Sequence, residues 1–227
     1  MSRQGVYHAA VRAFALLAGV SAALALLASG CGGSGAKVAA SEAAGSGAPA
    51  APAKPRCAYP AGWQRLANRI AAPVYCPGWL PDPLTSQIGG KWNNIDSVSR
   101  DRSYLESFVW QETEAGATGA GGELHVNLRG YPARTKIPTC FAGANNSDPV
   151  PCFADARGHV HENGIDATLF TVNQGADQWH VALVWHHVGS LYTLSEHLAP
   201  PLDYRKLVSY LHHELRSLVL IEPTRST

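Results

Sequence analysis

Charge is scarce in this chain of 227 residues: 18 Lys and Arg stand against 17 Asp and Glu, without a basic run. A near-neutral surface lacking clustered cations argues against nucleic acid and against an electrostatic membrane-binding face. Catalytic signatures are missing as well. Gly116 to Gly122 is glycine-rich, but no Lys-Ser/Thr follows it, so there is no phosphate loop. Gly-x-Ser-x-Gly does not occur in the part that reads as folded, which removes the hydrolase elbow; Gly45-Ser46-Gly47 belongs to a linker. His-Glu-x-x-His fails twice: His213-Glu214 lacks its second His, and His161-Glu162 runs into Asn163-Gly164. No Cys-x-x-Cys is present, so a thiolate zinc module is not expected. These absences point to a protein that is not an enzyme.

What is present begins at the N-terminus. Arg3 and Arg12 form a positive start, and Ala13 to Ala28 is an almost unbroken apolar segment without charge. It is short for a membrane span of about 20 residues and fits the hydrophobic part of an export signal. Ala28-Ser29-Gly30 then supplies small side chains directly before Cys31. This arrangement resembles the lipobox signal of bacterial lipoproteins, with Ala28 in the place usually taken by Leu. The resemblance implies a signal peptide over residues 1–30, a diacylglyceryl group on the Cys31 thiol, cleavage after Gly30, and Cys31 as the first residue of the mature chain. Two acyl chains suffice for a stable anchor, since each buried methylene contributes roughly 0.8 kcal/mol. The implied location is the cell envelope, outside the cytoplasmic membrane, with the membrane engaged through the lipid.

Residues 31–55 follow as a tether. Gly32 to Pro55 is Gly, Ala, Ser and Pro with Lys37, Glu42 and Lys54 as its charges. Such a composition buries too little apolar surface to offset its ordering entropy, and 24 residues span about 27 Å on flexible-chain scaling. Residues 56–227 are one domain's worth of chain. Its Cys57, Cys76, Cys140 and Cys152 are an even set, read as structural disulfides of an oxidising compartment. Three pairings are possible; the expectation taken is nearest-neighbour, Cys57–Cys76 and Cys140–Cys152.

Within the domain, Trp63, Leu66, Ala67 and Ile70 recur at helical spacing and predict a helix over Trp63 to Ala72, ended by Pro73. Pro77 to Pro83 reads as a rigid extended passage. Tyr104 to Gln111, Glu123 to Arg129 and Gly164 to Val172 read as strands, with Glu114 to Gly122 as a flexible hairpin connection. The strongest local pattern is Trp179 to His197. If Val188-Gly189 is a two-residue turn, Trp185 faces Tyr192, Leu183 faces Leu194 and His180 faces His197. Asp203 caps a final helix from Tyr204 to about Val219, with an apolar stripe of Tyr204, Leu207, Val208, Leu211, Leu215, Leu218 and Val219. The expected fold is α+β: an antiparallel sheet packed against an N-terminal and a C-terminal helix. Pro73 to Pro81, the strand pair, Trp179 to Leu194 and the last helix together resemble an uncharacterised α+β domain of bacterial envelope lipoproteins, over about Trp63 to Pro223. Some of its members accompany sporulation or anti-sigma functions, and the resemblance implies no known catalysis.

Histidine is the one enrichment, with nine of ten in the domain. His159-x-His161 puts two imidazoles on one side of a strand, and the hairpin adds His180 and His197. These four are the candidate metal ligands, although no carboxylate or cysteine joins them at a recognisable spacing. Six Trp include Trp79 and Trp92 in loops, where an exposed aromatic surface would lie. The functional expectation is an anchored, non-enzymatic lipoprotein that binds an envelope protein, a ligand or a cell-wall component and has no cofactor beyond its lipid. The alternative is a histidine-based metal-binding or metal-sensing lipoprotein.

Overall fold

The computed structural model of the protein describes residues 54–111, 122–142, 147–171, 180–200 and 202–224. The signal segment, Cys31, most of the tether, Trp179 and the Glu114 to Gly121 connection lie outside them. The described residues belong to the compact unit Ala51–Thr227.

The elements run α1 (Pro60–Ile70), β1 (Val74–Pro77), β2 (Asn93–Val98), β3 (Tyr104–Gln111), β4 (Glu123–Tyr131), β5 (Thr139–Ala142), β6 (Asp148–Pro151), β7 (Ala156–Glu162), β8 (Ile165–Phe170), β9 (His180–His187), β10 (Ser190–His197), α2 (Tyr204–Ser217) and β11 (Leu218–Ile221). Seven strands form one antiparallel sheet in the order β2-β3-β4-β10-β9-β8-β7. Among the described residues two further strand pairs, β1 with β11 and β5 with β6, are also antiparallel. The α+β expectation holds in its broad form: the described residues are mostly antiparallel strand, with two helices.

The period of two along each strand separates two faces. Tyr104, Phe108, Val126, Leu128, Leu183, Trp185, Tyr192 and Leu194 share one buried cluster with Trp63, Leu66 and Ile70 of α1 and Leu207, Leu211 and Leu215 of α2. The other face holds a smaller cluster, Tyr131, Ala182, Val184 and Leu191 with Cys152 and Phe153. Pro60 occupies the first turn of α1, where a missing N–H costs nothing, and Ala71 ends the helix in the left-handed region at φ 49°. Asp203 caps α2 by accepting the Lys206 amide at 2.7 Å. Gly130 sits directly opposite Tyr104 in the β3–β4 ladder, and a Cβ there would collide with the ring.

The β9–β10 hairpin pairs as its alternation predicts: Trp185 with Tyr192, Leu183 with Leu194 and His180 with His197. Both turn residues have positive φ, 44° at Val188 and 70° at Gly189, as the mirror-image hairpin turn requires. Both disulfides are nearest-neighbour, Cys57–Cys76 and Cys140–Cys152, as befits a chain maturing in an oxidising compartment. Among the described residues no helix is long and apolar enough to cross a membrane.

Two local expectations need correction. The last helix stops at Ser217, and Leu218 to Ile221 is a strand, because this apolar run finds Val74 to Pro77 to pair with. Tyr204 is 42% exposed and does not belong to the buried stripe of α2. That stripe contains Glu214 instead, with Leu207, Leu211 and Leu215.

Candidate histidine and carboxylate site

Three neighbouring strands, β4, β10 and β9, bring the site together. In the β4–β10 ladder Glu196 pairs with Val126, so the next residue outward, His197, comes beside His125. In the β9–β10 ladder His197 pairs with His180. The three imidazoles therefore gather across the sheet. Ring centroids are 5.7 Å apart for His125 and His197, 5.1 Å for His180 and His197, and 5.1 Å for His125 and His180.

Glu123 lies two residues before His125 and thus on the same face. Its Oε1 is 3.3 Å from His125 Nδ1 and 3.2 Å from His197 Nδ1. Gln111 donates its Nε2 to Glu123 Oε2 at 3.3 Å. Among the described residues, Glu123, His125 and His197 form the group whose ligand atoms all lie within 4.8 Å of one another. Their side chains are about one-fifth exposed, so the cluster is sheltered and still within reach of solvent.

A polar layer sits behind the imidazoles. His125 Nε2 is 3.0 Å from Ser107 Oγ and 3.1 Å from Asn127 Oδ1, while Asn127 Nδ2 donates to His180 Nε2 at 3.3 Å. Ser107, Asn127 and Ser195 are almost fully buried. Holding the far nitrogen of His125 in this way aims its Nδ1 at Glu123, the arrangement that orients metal-ligating histidines. Burial lowers the His125 pKa, and His180 and His197 lower it further against the opposing pull of Glu123, which keeps the imidazole neutral near pH 7. Burial alone would raise Glu123, but His197, Gln111 and His125 outweigh it and the carboxyl is held below its ordinary range.

Of the four predicted ligands, His180 and His197 meet in this cluster. His159 and His161 do not. They lie on the edge strand β7, where His161 pairs with Asp166 at 2.5 Å and His159 faces Thr168 at 3.4 Å. No carboxylate stands at a recognisable spacing from the histidines in the sequence, and it is the sheet that brings Glu123 to them. Glu123 and His125 were within reach of strand alternation, which places both on one face. Their approach to His197 depends on a pairing between strands distant in sequence.

Other titratable groups lie on the helix-covered face. Glu196 and Glu214 are 2% and 0% exposed and face each other; burial raises both, Glu196 to about 8. Glu106 is likewise buried, and desolvation first, then the charge of Asp96, push it up to about 8. A cleft of about 340 Å³ beside α1 is lined by Arg65, Arg69, Ile88 and Asp96, and includes none of the histidines. Trp79 stacks on His213 at 4.0 Å and Trp92 packs against the core under Lys91, so neither contributes a bare aromatic surface.

No family model matches the chain, and comparisons with curated proteins and with solved structures give no match.

Proposed function

We propose that the protein is a lipid-anchored, extracytoplasmic lipoprotein whose folded domain binds a divalent transition-metal ion through Glu123, His125 and His197. One observation carries the metal reading. Two imidazole nitrogens lie 3.3 and 3.2 Å from a single carboxylate oxygen. Ligands about 2.0–2.1 Å from a tetrahedral ion are themselves separated by about 3.3 Å, so each nitrogen stands at ligand spacing from that oxygen, and the three atoms lie within 4.8 Å of one another. Imidazole with carboxylate suits zinc, copper(II) or nickel. The domain cysteines are engaged in disulfides and the chain's single Met is Met1, so soft sulfur ligands for copper(I) are lacking. The anchor rests on the apolar segment and Cys31, and the two disulfides agree with an oxidising location.

Metal analysis and zinc titration of the untagged protein test the site. One equivalent is expected, with affinity reduced at least about tenfold by Glu123→Gln and unchanged by replacing His159 and His161 together. Absence of stoichiometric binding, or equal losses from both changes, overturns the reading. For the anchor, Cys31→Ala should release the protein from membranes; unchanged fractionation and no lipid on the N-terminal peptide would end that proposal.

A further inference from the structure

We infer that His180 is the fourth ligand and that the site is a closed zinc centre of three histidines and one glutamate, one that holds its ion rather than offering it to a substrate. The inference rests on the metal reading and goes further, to the coordination number, the ion and the kind of work the site can do.

The centroid distances decide it. An imidazole nitrogen about 2.0–2.1 Å from zinc puts the ring centroid about 3.2 Å away, so two such rings on a tetrahedral ion are about 5.2 Å apart. The three observed separations are 5.1, 5.1 and 5.7 Å. The His180 ring therefore stands at third-ligand distance from both rings that border Glu123, while its nitrogens lie outside the group within 4.8 Å of one another and turn inward only when the ion binds. The ladder that sets this position is continuous through eight paired residues, from Ser190–His187 to His197–His180. Sheet register, not a loop, places the ring.

His180 Nε2 accepts the Asn127 amide, and Asn127 also contacts His125. One buried amide thus orients two of the three imidazoles. Zinc binding would turn the His180 ring toward the carboxylate with the strand in place, while Asn127 continues to hold His125. Three nitrogens and one oxygen then complete a tetrahedron. Zinc accepts this geometry readily, whereas copper(II) and nickel(II) favour tetragonal arrangements. Catalytic zinc sites keep one position for water, and a four-ligand site does not.

Cobalt(II) in place of zinc reports the coordination directly. The wild-type protein should give the intense visible absorption of a tetrahedral cobalt ion, and added azide should leave it unchanged. His180→Gln should open a position: the absorption weakens, azide then perturbs it, and zinc affinity falls. Asn127→Ala should keep the tetrahedral spectrum and lose roughly 10- to 100-fold in affinity, as loss of a group orienting a ligand does. Circular dichroism confirms that each variant is folded, and His161→Ala, on the edge strand β7 and outside the cluster, serves as a control with the wild-type spectrum. If wild-type cobalt responds to azide and His180→Gln changes nothing, the fourth-ligand inference fails while the three-ligand site stands. If neither zinc nor cobalt binds the wild type, both fail.

Discussion

Glu196 and His197 are neighbours in sequence and end up in opposite chemical worlds. Glu196 points to the helix-covered face, where it meets Glu214 among Leu and Val side chains and both carboxyls are driven toward the neutral form. His197 points to the other face, where Glu123 stays ionised beside imidazoles. Carboxylates are buried or half-buried on both faces. What separates them is whether burial is outweighed: at Glu106 desolvation and Asp96 prevail over the Asn93 hydrogen bond and the Arg69 charge, whereas at Glu123 His197, Gln111 and His125 prevail over desolvation. The helix-covered face tolerates acids by keeping their protons, and the open face uses one as an anion.

The largest test of this contrast is pH. Glu106 is neutral in the folded state up to about pH 8, while its ordinary value is 4.5. Its contribution is complete below pH 4.5 and disappears as pH rises through 8, and the shift corresponds to at most roughly 5 kcal/mol. Urea unfolding should therefore show stability falling between about pH 5 and 8, with Glu106→Gln flattening the slope. Glu123 works in the opposite sense: its lowered pKa adds stability above the ordinary carboxylate range, lost as pH falls below it. An unaltered slope in Glu106→Gln would remove the distinction between the two kinds of acid.

Next comes a pair of truncations, one on each face. Leu194→Ala empties a fully buried place on the helix side and should cost about 3 kcal/mol. Ser107→Ala on the polar face, which loses the contact of its hydroxyl with His125 Nε2, should cost about 1 kcal/mol. Equal losses in denaturant midpoints would mean that the faces do not differ as described. Saturating zinc should stabilise the protein by about 2.7 kcal/mol at a free concentration about 100 times Kd, visible as a rise in Tm that Glu123→Gln abolishes. The smallest effect belongs to the turn. Val188 is 79% exposed and held at φ 44°, a conformation that a β-branched residue resists. Val188→Asn should raise stability by about 1 kcal/mol, and an unchanged or lower midpoint would count against strain there.

Local order was readable in advance and long-range order was not. Alternation around Val188-Gly189 was enough to pair His180 with His197, because a two-residue turn sets the register of everything beyond it. The nearest-neighbour choice among three possible cysteine pairings matches the disulfides of the structure. Glu123 and His125 lie far before His180 in the chain, and no turn connects β4 to β10 directly; their meeting is a consequence of strand order in the whole sheet. Glu106, Glu196 and Glu214 escaped for another reason. Each looks like a surface residue in its own segment, and only the packing of α1 and α2 onto the sheet removes them from water. The β1–β11 pair was missed because Leu218 to Ile221 continues the apolar pattern of the preceding helix.

The Cys57–Cys76 bond has a mechanical meaning if the chain is held by its N-terminal end. Tension applied through the tether reaches Cys57 and crosses directly to Cys76, so the covalent loop that contains α1 carries none of it. The pull arrives in β1, whose partner β11 is the last strand of the domain. A pull on that end would thereby be handed to a strand pair joining the two ends of the fold, and the sheet that positions Glu123 and the histidines lies off its path.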